Sequence, residues 1–113
     1  MRKHVYVAAL AASIAAAALA LPALGATAKL SGTVGPGFTI SLAKKPTKAG
    51  KYTLTVADKS RIHNFHLRGK GVNVKTSVPA TGKTTFTVTL TKGTFTYLCD
   101  PHPTSMRGSF TIK

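Results

Sequence analysis

The chain has 113 residues, room for one small domain, and carries sixteen Lys and Arg against two acids, Asp58 and Asp100, for a formal net charge of +14. It holds one cysteine and no tryptophan. A disulfide-stapled fold is therefore excluded within one chain. The absence of an arginine stripe and of an interleaved aromatic platform argues against nucleic acid as a partner.

The first segment reads as a leader. Arg2 and Lys3 precede an alanine-rich apolar stretch from Val5 to about Leu21, and Pro22 breaks it. Small-residue triplets suited to cleavage follow at Ala23-Leu24-Gly25 and Ala26-Thr27-Ala28. The pattern predicts a secretory signal over residues 1–28, cleaved near 25–28, ahead of one domain over 29–113. An uncleaved membrane anchor is the competing reading, since the stretch approaches spanning length. The protein is thus expected to be exported, to a periplasm or the exterior. Loss of Arg2 and Lys3 leaves 14 basic residues against two acids. Such a field suits an acidic redox protein or an anionic membrane or wall surface met transiently by a monomer.

Beyond the leader, apolar and polar residues alternate with period two, the signature of half-buried strands. Phe38, Ile40 and Leu42 share one face, as do Tyr52, Leu54 and Val56, then Phe86, Val88 and Leu90. Phe95, Tyr97 and Cys99 share the next face, and Phe110 and Ile112 the last. Turn-like breaks at Gly35-Pro36-Gly37, Lys45-Pro46, Gly69-Lys70-Gly71, Pro79-Ala80-Thr81-Gly82 and Lys92-Gly93 separate them. The expectation is an all-β fold, an antiparallel sandwich or barrel of about seven short strands. Gly82-Lys83-Thr84 resembles the end of a phosphate-binding loop, but Ser77 stands where its first glycine is required.

A domain of about 85 residues buries only roughly 60% of its unfolded surface and profits from a staple. A lone cysteine in an exported chain asks for a reason, and metal ligation is one. Cys99, His102 and Met106 fall within eight residues at the end of an aromatic strand. Thiolate, imidazole and thioether are the soft and intermediate donors that suit copper in both oxidation states, with methionine as the weak axial ligand. Pro101 and Pro103 flank His102 and stiffen its loop. A second imidazole must come from Ile62-His63-Asn64-Phe65-His66-Leu67. Read as a strand, that run turns His63 inward with Phe65 and Leu67 and leaves His66 facing solvent, which favours His63 over His66. Asn64 is placed to tie the two ligand loops together and to donate a hydrogen bond near the thiolate.

His63-Asn64-Phe65-His66 and Cys99-x-x-His102-x-x-x-Met106-x-Gly108 resemble the plastocyanin/amicyanin group of cupredoxins over most of the mature chain. The resemblance implies one type 1 copper ion held by His63, Cys99, His102 and, axially, Met106, in a Greek-key β-sandwich. Three residues separate His102 from Met106, against four in plastocyanins and two in amicyanins. The family's role is one-electron transfer through the edge of the loop histidine, here His102, ringed by Pro36, Pro101 and Pro103. No acid–base pair or activated nucleophile is visible, so an enzyme is not expected. The alternative is a secreted copper carrier or buffer using the same ligands.

Overall fold

A computed structural model describes residues 27–113. Except for Thr27 and Ala28, the expected leader and its cleavage sites lie outside the described residues. Eight strands follow in order: β1 (Ala28–Val34), β2 (Ile40–Ala43), β3 (Gly50–Asp58), β4 (His66–Gly69), β5 (Val72–Lys75), β6 (Gly82–Leu90), β7 (Gly93–Leu98) and β8 (Arg107–Ile112). Among the described residues no helix is long and apolar enough to cross a membrane.

The strands form two four-stranded sheets, β2-β1-β3-β6 and β5-β4-β7-β8. Period-two alternation puts Leu54 and Val56 of β3, Val88 and Leu90 of β6, and Phe95 and Tyr97 of β7 inside. Phe65 stacks on Tyr97 with ring centroids 5.6 Å apart, and Phe95 on Phe110 at 5.5 Å. Gly108 makes room for one of these rings, because a Cβ there would collide with Tyr97.

Two expectations about strands need correction. β1 and β3 pair in parallel, Val34 opposite Asp58. Residue alternation is the same in parallel and antiparallel strands, so the pattern carries no direction. Phe38 is not a core residue of the second strand. The Gly35 N–H donates to the Thr39 carbonyl at 2.9 Å, and the ladder starts only at Ile40 opposite Val34. The closed turn lifts Phe38 out of the strand and leaves it 60% exposed.

The chain direction of each strand sorts the loops. Segments 35–39, 59–65, 76–81 and 99–106 gather at one end of the sandwich, where β1, β3, β5 and β7 finish. All the expected metal ligands lie in the second and fourth of these loops.

Candidate metal centre

Cys99 follows directly on β7, where the strand's inward face delivers it, fully buried, to the end of the core. The turn after it is braced by its own backbone. His102 N–H donates to the Cys99 carbonyl at 3.0 Å, Met106 N–H to the His102 carbonyl at 3.0 Å, and Cys99 N–H to the Met106 carbonyl at 3.1 Å. These bonds hold Cys99, His102 and Met106 in one compact loop, with Met106 buried in the core cluster.

His63 reaches the same point from the 59–65 loop. Its Nδ1 is 3.7 Å from Cys99 Sγ, His102 Nδ1 is 3.6 Å from Sγ, and the two Nδ1 atoms are 3.2 Å apart. Among the described residues this is the one grouping of three His, Cys, Asp or Glu side chains suited to a metal. Three electron-pair donors crowding one buried point are best reconciled by a cation. A thiolate with two imidazoles is the equatorial set that copper takes in electron-transfer sites, so the residues fit that metal.

His66 is kept away from this point. The run from Ile62 is not a strand until His66, and residues 62–65 are loop. His63 is inward, but Asn64 is buried as well and Ile62 is 55% exposed. The expectation that His66 faces solvent is wrong: it is buried. Its Nδ1 lies 2.8 Å from Asp100 Oδ1 and its Nε2 2.6 Å from Asn73 Oδ1. Both ring nitrogens are thus engaged by partners other than Cys99.

Asn64 fastens the two loops. Its Nδ2 donates to Asp100 Oδ2 at 2.8 Å and to the Thr76 carbonyl at 3.1 Å, while its Oδ1 accepts the Asp100 N–H at 2.8 Å. Its backbone N–H points at Cys99 Sγ, 3.4 Å away. A thiolate that accepts a backbone N–H has its negative charge partly neutralised, which tunes a metal held by it. Thr76 adds a third strap, its hydroxyl accepting the Phe65 N–H at 2.9 Å.

The electrostatics rest on the chain's two acids, and both lie at this end. Burial alone would raise the Asp100 carboxyl, but hydrogen bonds from His66 and Asn64 and the nearby His66 and Lys75 charges outweigh it and hold it below the ordinary carboxylate value. Asp58 goes the other way. Burial raises it, against weaker help from the Ser60 amide, the His63 charge and the Thr76 hydroxyl.

Phe38 roofs the site. Its ring meets His63 and His102 edge to face, both with centroids 5.0 Å apart. The sequence reading missed Phe38, Asp58, Asn73, Thr76 and Asp100. For the acids a signal existed: in a chain with two carboxylates, one adjoins the lone cysteine.

The model of the copper binding proteins of the plastocyanin/azurin family matches residues 37–113. Among solved structures, auracyanin A, a "blue" copper protein from the green thermophilic photosynthetic bacterium Chloroflexus aurantiacus, is similar at a TM-score of 0.54 and 17% identity, over 78% of this chain and 100% of that one. Reduced rusticyanin, solved by NMR, is similar at a TM-score of 0.50 and 24% identity, over 75% of this chain and 76% of that one. At these identities the likeness is one of fold. No match is found among curated proteins.

Proposed function

The chain belongs to the plastocyanin/azurin family of copper-binding proteins, and on that premise we propose that it is an exported carrier of single electrons rather than an enzyme. The observation that carries the reading is the convergence of Cys99 Sγ, His63 Nδ1 and His102 Nδ1 in a buried, braced site. His63, Cys99 and His102 would hold the copper, with Met106 of the same loop as a further, weaker ligand. When bound there, copper supplies a one-electron couple between its two oxidation states. The protein supplies rigidity. Loop 99–106 is closed by three backbone hydrogen bonds and fastened to the His63 loop through Asn64, so little has to rearrange when the charge changes.

The partner is an acidic redox protein. All fourteen basic side chains of residues 27–113 are exposed, and the one ion pair among the described residues is His66–Asp100. At the metal end, exposed Phe38 and Ile62, with Pro36, Pro101 and Pro103, offer an apolar face beside Lys59, Arg61 and Arg107. A small apolar contact within a basic field suits brief, salt-sensitive docking.

Titration of the mature protein with copper(II), followed by visible absorption, tests the reading. An intense thiolate-to-copper band saturating at one equivalent supports it. Tight binding without that band favours a copper carrier, and no binding overturns both.

A further inference from the structure

Asp100 comes directly after Cys99, so a carboxylate stands one residue from the thiolate. Two negative charges in a partly buried site call for an answering charge. Asp100 receives hydrogen bonds on both oxygens. The Asn64 amide donates to Oδ2 and the His66 ring reaches Oδ1, each at 2.8 Å. The side chain is 38% exposed to water, and the carboxyl is held below its ordinary range. Asp100 is therefore ionised at neutral pH and only accepts.

The same reasoning fixes the His66 ring. Its Nδ1 faces Asp100 Oδ1 at 2.8 Å and its Nε2 faces Asn73 Oδ1 at 2.6 Å. A carboxylate and an amide carbonyl both lack a proton to give. A neutral imidazole has one N–H, and would set its bare nitrogen against one of these oxygens. Two acceptors at hydrogen-bond distance require two N–H groups, which only the imidazolium has. The ring is 8% exposed, so water screens its charge little. Other cations share this sheet face. Lys75 is opposite His66, Arg107 is opposite its neighbour Leu98, and Arg68 is two residues along. All three are exposed and screened by water.

We propose that His66 is a positioning residue for the thiolate side of the metal centre, a buried imidazolium that holds the Asp100 carboxylate against Asn64 and offsets its charge. The proposal rests on the copper reading of the site. The link to the thiolate is continuous. His66 meets Asp100, Asp100 meets Asn64, and the Asn64 backbone N–H points at Cys99 Sγ from 3.4 Å. Contacts of this kind tune a metal through its ligands. Without the imidazolium, Asp100 would leave an unbalanced negative charge beside the thiolate. Such a charge stabilises the more positive copper ion. His66 therefore favours copper(I) and raises the reduction potential.

The first test needs neither copper nor a variant. In the metal-free wild type at neutral pH, nitrogen-15 NMR should find a proton on both His66 nitrogens. In the copper protein, His66→Ala should keep the blue band and lower the reduction potential. Chelator competition should show the ratio of copper(I) to copper(II) affinity falling about tenfold. Adding Asp100→Asn removes the unbalanced charge and should return that ratio toward the wild-type value. A singly protonated His66 ring overturns the proposal. So does a His66→Ala protein that loses both affinities equally, because loosened packing alone gives that result. A wild type without the blue band overturns the copper reading instead, and the NMR measurement still decides whether His66 is the buried cation.

Discussion

Asn64 and Asp100 are joined by two hydrogen bonds that run in opposite directions. The Asn64 amide donates to the Asp100 carboxylate at 2.8 Å, and the Asp100 backbone N–H donates to the Asn64 carbonyl oxygen at 2.8 Å. One residue follows His63 and the other follows Cys99, so this pair clamps together the loops that carry the imidazole and the thiolate. Replacing Asn64 by Ala removes the partners of the part-buried Asp100 N–H and of the buried Thr76 carbonyl. Urea unfolding of the metal-free protein should show a loss of about 2–4 kcal/mol.

His66→Ala should leave the blue band in place, because both ring nitrogens are engaged by partners other than the thiolate. It should still lower stability, by about 1–3 kcal/mol, through the lost partners of Asp100 and Asn73. Absorption and unfolding measured on the same sample separate the two effects. Loss of the band would transfer the ligand role from His63 to His66.

Cys99→Ser should abolish the blue band and weaken copper binding, since a hydroxyl is a poor substitute for a soft thiolate. An unchanged spectrum would remove Cys99 from the site.

Phe38→Ala should change the unfolding free energy by only about 1 kcal/mol, because the ring is 60% exposed. The same change uncovers two imidazoles that Phe38 meets edge to face. Chelator should therefore strip copper faster than from the wild type, as timed by decay of the visible band.

The two carboxyls predict opposite responses to acid. Asp100 has its pKa lowered in the folded state, so the unfolded chain binds more protons and this group's contribution is complete above the ordinary carboxylate range. That contribution is lost as the pH falls from about 4 through the lowered folded value. Asp58 is raised by burial, so the folded chain binds the proton first and its penalty is relieved as the pH falls. Urea midpoints followed downward from neutral pH should fall less steeply in Asp100→Asn and more steeply in Asp58→Asn than in the wild type.

The all-β fold was legible in the sequence because half-buried strands impose a period of two that local composition reveals. Leu54 and Val56, Val88 and Leu90, and Phe95 with Tyr97 and Cys99 all lie inside as the alternation requires. Cys99, His102 and Met106 could be grouped because a short loop keeps near neighbours in sequence near in space. What lies far apart in sequence had to await the tertiary structure. Alternation does not carry strand direction, so the parallel pairing of β1 with β3 was hidden. Phe38 followed the strand pattern but was lifted from it by the bond between Gly35 and Thr39. The environment of His66 was also hidden, because its partners Asn73 and Asp100 come from other segments and meet it only when β4, β5 and β7 lie side by side. Residue types and spacing therefore determined which groups could meet a metal. The sequence favoured His63 over His66, and the sandwich supplied the physical reason, because the partners that hold His66 are brought in by long-range pairing.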